Sequence, residues 1–168
     1  MKKLFFILVV AALFQSAVGL AQQKVVTVIL LRHAEKMDDG KDPELSNKGN
    51  QFAAMLAKLF ADQKVDAVYT TAYKRTSATV KPLADENSIT AINYDPAKST
   101  DLVQAIEKSN NKTVVVVGHS NTINLVHNAL IKDKKMQALG DDEYRKVFII
   151  HYDKDNPANS TSMKLDLN

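Results

Sequence analysis

The chain has 168 residues, no cysteine, and 22 basic against 19 acidic side chains, a formal net charge of +3. The missing cysteines exclude disulfide staples, thiol catalysis and a lipid-modified cysteine, so stability must come from packing. Length and a hydrophobic content of 45% fit one domain around one core.

The first residues read as an address, not as folded protein. Lys2 and Lys3 precede an apolar run from Leu4 to Phe14, and small residues follow in the order of a secretory signal. Gly19 and Ala21 have the small-x-small spacing of a cleavage point, which predicts a signal peptide over 1–21 and a single domain over 22–168. The alternative is an uncleaved membrane anchor, since Leu4 to Ala21 is about long enough to span a bilayer, although Gln15 and Ser16 interrupt it. The expected location is therefore periplasmic or secreted, with no stable membrane insertion after cleavage. Cleavage would remove Lys2 and Lys3 and leave 20 basic against 19 acidic side chains, a net charge of +1. A nucleic-acid footprint is not supported at that balance.

Val25 to Leu31 is a continuous, β-branched run, the pattern of a strand buried on both faces in a parallel sheet. A turn-rich stretch, RHAEKMDDGKDPELS, follows as a loop, and its segment Met37 to Glu44 is expected to border any pocket there. Ser46 is placed to cap a helix whose stripe is Phe52, Met55, Leu56, Leu59, Phe60 and Gln63. VDAVYTT predicts a second strand, Tyr73 to Ala84 a helix closed early by Pro82, and SITAINY a third strand. Thr100 to Lys108 predicts a helix with Leu102, Val103 and Ile106 on its apolar face. Thr113 to Val117 is the plainest strand in the chain, and a helix from about Asn121 to Ile131 comes after it. KVFIIHYD and STSMKLDL, separated by KDNPANS, form a hairpin pattern. Strands alternating with helices predict an α/β class: a three-layer sandwich with a mostly parallel central sheet, helices on both faces and a C-terminal edge hairpin.

Polar groups recur at equivalent places in this order. Arg32 and His33 follow the first strand, Arg75 lies just beyond the second, and His119 follows the fourth. Ligands of an open α/β sheet bind outside the carboxyl ends of its strands, so these four residues are candidates for one pocket. Arginine's planar fork suits oxyanions, most simply a phosphoryl group, and its charge does not titrate away. An unperturbed imidazole is roughly three-quarters neutral at pH 7, and neighbouring cations keep its lone pair free to attack phosphorus. A second histidine is suited to hold oxygens whose charge changes in the transition state.

These segments resemble the histidine phosphatase superfamily, the group that includes phosphoglycerate mutases and acid phosphatases. LRHAEK is similar to its Arg-His signature, LSNKG to its helix entry, VYTTAYKRTSATV to its second-arginine segment, and VVVVGHSNT to its second-histidine segment. The matches run in order from about residue 28 to 125. The resemblance implies that His33 is the nucleophile of a transient phosphohistidine. It implies that Arg32, Arg75 and His119, with Ser120, bind the phosphoryl oxygens, and that no metal or other cofactor is needed. Larger members carry an acidic proton donor well after the second arginine, and no unmistakable equivalent is present. Glu35 is the leading choice, with Asp95 and Asp101 as alternatives.

The expected activity is an exported phosphatase acting on a small phosphorylated substrate. Alternatives within the family are a phosphoglycerate mutase-like phosphoryl transfer, for which the chain is short, and a phosphohistidine-protein phosphatase. A non-catalytic phosphate-binding module of the same fold is a third. GHSNT approaches the nucleophile elbow of α/β-hydrolases, but Thr122 stands where the second glycine belongs, which sets a Ser120 esterase aside. No His-Glu-x-x-His or comparable metal-ligand set is present. His127 and His151 read as packed structural histidines, and Lys132, Lys134 and Lys135 as a solvated helix end.

Overall fold

The computed structural model describes residues 25–133 and 135–167. The expected signal peptide and Lys134 lie outside these. Strand β1 is Val25–Arg32, and helix α1 (Asn47–Leu59) follows its loop. Then come β2 (Ala67–Thr70), α2 (Lys74–Glu86), β3 (Ile92–Asn93), α3 (Ser99–Lys108), β4 (Thr113–Gly118) and α4 (Ile123–Leu130). The chain ends in β5 (Lys146–Asp153), a 3-10 turn at Pro157–Asn159, and β6 (Thr161–Asp166). The six strands form one sheet in the order β3-β2-β4-β1-β5-β6. β1, β2, β3 and β4 run parallel, and β5 and β6 add an antiparallel hairpin at one edge.

The period-2 alternation of the central strands divides the core in two. Val26, Val28 and Leu30 of β1 and Val114 and Val116 of β4 pack with Leu102, Val103 and Ile106 of α3 and Ile123, Val126 and Leu130 of α4. Ile29 and Leu31, with Val115 and Val117, face the other way, against Phe52, Ala53, Leu56 and Ala57 of α1 and Val80, Leu83 and Ala84 of α2. Helices thus cover both faces, which is why β1 and β4 read as unbroken apolar runs.

Local expectations needed correction in several places. The buried face of α1 is Gly49, Phe52, Ala53, Leu56 and Ala57, while Met55 and Leu59 are 38% and 48% exposed. The small alanines sit inward because α1 lies against α2, and the longer side chains rotate outward. Pro82 does not end its helix, which continues to Glu86. A helix-interior proline costs about 3 kcal/mol, but burying Val80 and Leu83 returns about 1.5–3 kcal/mol each. The third strand shrinks to Ile92–Asn93, because Ser88 turns the chain with a φ of 55° and only two residues reach β2. α4 begins at Ile123, two residues after the expected start.

His127 is buried, its Nε2 at 3.0 Å from Ser162 Oγ and its ring edge-on to Phe148. His151 is exposed instead of packed, with Nδ1 3.3 Å from Thr27 Oγ1. Lys132 and Lys135 are exposed. Among the described residues no helix is long and apolar enough to cross a membrane.

Candidate active site

Strand register brings the two histidines together. Arg32 of β1 is paired with Gly118 of β4, so His33 and His119, the next residues of two parallel neighbours, leave the sheet side by side. Their ring centroids are 5.6 Å apart. β2 runs level with β4 on its other side and delivers Thr70 and Thr71, after which α2 begins and carries Arg75. Arg32, His33, Arg75, His119 and Ser120 line one cleft of about 230 Å³ with Lys36, Gly40, Pro43, Asn121 and Asp141. A larger cavity, about 840 Å³, opens between Val25–Thr27 and Glu107–Thr113, at the opposite end of β1 and β4. None of the expected site residues reaches it.

His33 is 4% exposed, and its orientation is fixed. A carbonyl only accepts, so Nδ1, 2.8 Å from Ala34 O, carries the hydrogen. Nε2 is therefore the nitrogen with the lone pair. Burial pulls the imidazole pKa down to about 3, partly offset by the Ala34 bond and reinforced by Arg32, Arg75 and His119. The turn around it is tied down from two sides. His33 N–H donates to Gly118 O at 2.9 Å, and Ala34 N–H donates to Thr79 Oγ1 at 2.8 Å. Thr79 in turn donates to Arg75 O at 2.7 Å, linking the His33 loop to the helix that carries the second arginine.

Both arginines are anchored by one edge. Arg32 Nη1 donates to the carbonyls of Gly140 and Asp141 at 2.8 and 3.0 Å, and its guanidinium lies 4.0 Å from the Tyr144 ring centroid. Its Nε is buried and finds no hydrogen-bond partner among the described residues, which leaves one donor unsatisfied. Arg75 lies over the Tyr73 ring at 4.5 Å, pairs with Asp42 at 3.5 Å, and donates from Nη2 to His119 Nδ1 at 3.3 Å. The other ring nitrogen of His119, Nε2, is 3.1 Å from Thr71 Oγ1. Burial, then Arg75 and Arg32, lower the His119 pKa to about 4, with Asp42 opposing.

The glycines of the two motifs have steric reasons. A Cβ at Gly49 would stand 2.2 Å from Glu35 O, because α1 enters against the loop that follows β1. One at Gly118 would stand 2.6 Å from the Tyr94 hydroxyl, which bonds Val117 O.

The acidic residues considered as proton donors are not brought to the cleft wall. Glu35 Oε1 accepts from Arg145 Nε at 2.7 Å, and its Oε2 is buried without a partner among the described residues. Asp95 caps the N–H of Ala97 and pairs with Lys98. Asp101 is exposed in the first turn of α3. The carboxylate residue that lines the cleft is Asp141. Sequence reading also missed Tyr144, Tyr73, Thr71 and Asp42. Thr71 directly follows β2, as His33 and His119 follow β1 and β4, but a threonine there carries no chemical signal of its own; the other three lie off the strand ends, and only the fold brings them to the arginines and histidines. Among the described residues no group of three His, Cys, Asp or Glu is arranged to hold a metal ion.

Residues 28–97 match the model of the histidine phosphatase superfamily, branch 1. The His119 segment lies beyond that match and joins the site through the strand register alone. No curated protein matches the chain in sequence. Solved structures share the fold. The protein histidine phosphatase SixA complexed with tungstate aligns with a TM-score of 0.69 at 16% identity, over 84% of this chain and 97% of that one. A SixA-type protein from Agrobacterium tumefaciens aligns at 0.63 and 24% identity, over 83% and 97%. A mycobacterial glucosyl-3-phosphoglycerate phosphatase aligns at 0.68 and 14%, over 86% and 100%. Residues 28–97, which carry Arg32, His33 and Arg75, fit the family model, and the six-stranded architecture is that of these structures.

Proposed function

We propose that this phosphatase hydrolyses phosphomonoesters in two steps through phosphohistidine on His33, without a metal. The observation that carries the reading is the His33 Nδ1–H bond to Ala34 O, which leaves the Nε2 lone pair in a cleft walled by two guanidinium groups and a second histidine. In the first step Nε2 attacks phosphorus, the bond from phosphorus to the leaving oxygen breaks, and that oxygen takes a proton. Water then attacks phosphorus, the P–N bond breaks, and His33 recovers its lone pair as inorganic phosphate leaves. Arg32, Arg75 and His119 hold the equatorial oxygens, where preorganised donors stabilise developing charge. Ser120 borders the same space. Glu35, bound to Arg145, suits an anchoring role, and the cleft wall offers Asp141 as donor to the leaving oxygen.

A phosphohistidine-protein substrate is a second reading, favoured by the scarcity of carboxylates in the cleft: an imidazole leaving group makes a smaller demand for an acid than an alkoxide. Export is part of the proposal and rests on residues 1–21 alone; the N-terminal sequence of the protein recovered from outside the cytoplasm tests it. The catalytic test is hydrolysis of an aryl phosphate in EDTA. Turnover that survives chelation and vanishes in His33→Ala, with acid-labile, base-stable phosphate trapped on the wild type, is expected. Full activity in His33→Ala would overturn the mechanism.

A further inference from the structure

We propose that Thr71 is a positioning residue that fixes His119 with hydrogen on Nε2 and a lone pair on Nδ1, so that binding a tetrahedral dianion takes up one proton at Nδ1. The inference rests on the phosphoryl-cleft reading above and adds to it a proton that the binding step must collect.

The hydrogen-bond directions leave one arrangement. Arg75 has only donors, so the contact between its Nη2 and His119 Nδ1, at 3.3 Å, needs a lone pair on Nδ1. The neutral ring then carries its hydrogen on Nε2, which donates to Thr71 Oγ1 at 3.1 Å. Thr71 passes its own hydrogen to Thr76 Oγ1 at 2.9 Å. Thr76 ends the chain on backbone carbonyls, with Thr71 O at 3.0 Å and Tyr73 O at 2.9 Å. Both threonines are fully buried, so water does not compete for these positions. A chain that ends on a carbonyl cannot reverse, because the carbonyl has no hydrogen to give.

Neutral His119 therefore meets Arg75 with an acceptor. A phosphoryl oxygen is also an acceptor, and the two repel unless a proton lies between them. The groups facing His119 decide whether that proton arrives. Arg75 from α2 and Arg32 and His33 from the end of β1 oppose a positive ring, while Asp42 from the loop favours it. Tyr73 presents its ring edge-on at 5.0 Å, and Asp141 lies on the cleft wall. A bound dianion offsets the guanidinium charges and supplies an acceptor at hydrogen-bond range. With Nε2–H already committed to Thr71, the new proton enters at Nδ1 from solvent, and Arg75 Nη2 is released toward the anion. No ring flip is required.

The test uses tungstate, a tetrahedral dianion that carries no titrating proton near pH 7. Titration calorimetry of the purified protein in buffers of different ionisation heats counts the protons exchanged. The wild type is expected to take up about one proton per tungstate bound. In Thr71→Val the Nε2–H has no acceptor, the ring shifts to Nδ1–H, and uptake falls to near zero; Thr71→Ser restores it. His119→Gln abolishes uptake while leaving Thr71 in place, which keeps the test decisive if the valine variant does not fold. Tungstate binding by the wild type without proton uptake, or undiminished uptake in Thr71→Val or His119→Gln, would overturn this inference alone. No tungstate binding by the wild type would overturn the phosphoryl-cleft reading with it.

Discussion

His33 should make the protein sensitive to acid in a measurable way. Its folded pKa lies at about 3, against about 6.5 for an unperturbed histidine. The folded value is depressed, so between those limits the unfolded chain binds a proton that the folded chain does not. Stability therefore falls as pH drops below about 6.5 and stops falling near pH 3. At pH 5 the unfolded imidazole is about 1.5 units below its pKa, which at about 1.4 kcal/mol per unit costs about 2 kcal/mol. That is a substantial share of the about 5–15 kcal/mol that holds a typical domain together. His33→Gln removes the titration and keeps much of the volume. Urea unfolding at pH 7.5 and pH 5 should show the wild type losing about 2 kcal/mol more than the variant across that interval. His119 and the carboxylates titrate in both proteins and drop out of the difference. Equal losses would refute the claim that His33 is held neutral by burial.

Three further outcomes follow from contacts at the site. Gly118→Ala puts a Cβ against the Tyr94 hydroxyl and should cost about 1–3 kcal/mol; adding Tyr94→Phe removes the clashing oxygen, so the double variant should be more stable than Gly118→Ala alone in thermal melts. Gly49→Ala meets backbone at Glu35 instead of a side chain; it should cost about 3 kcal/mol or more and lower kcat, with no single side-chain replacement rescuing it. Glu35→Gln, because the Arg145 contact occupies Oε1, should slow aryl and alkyl phosphates alike, whereas Asp141→Asn should slow alkyl phosphates more, since their leaving oxygens need the proton. Comparing kcat on the two substrate types separates these roles.

The sequence by itself determined the central strands and the residues that leave them. Runs such as Val25 to Leu31 and Thr113 to Val117 are apolar on both faces, which only a doubly covered parallel strand satisfies, and the polar residues that follow them break that pattern although Arg32 and His33 are themselves buried. Arg32, His33, Arg75 and His119 were legible for that reason. What the tertiary structure decided is how each of those groups is held. The tautomer of His33 depends on one carbonyl, that of His119 on Arg75 and two buried threonines, and the anchoring of Arg32 on backbone carbonyls more than a hundred residues away. Such bonds leave no periodic trace, because a backbone carbonyl belongs to every residue and a threonine reads the same whether it fills space or orients a ring. The same limit explains Glu35. Its place beside His33 was plain in the chain, but its partner Arg145 comes 110 residues later, just before β5, the antiparallel neighbour of β1, at a backbone φ of 55°. Sequence places a group along the chain, and its chemistry is set by neighbours that only folding brings within hydrogen-bond range.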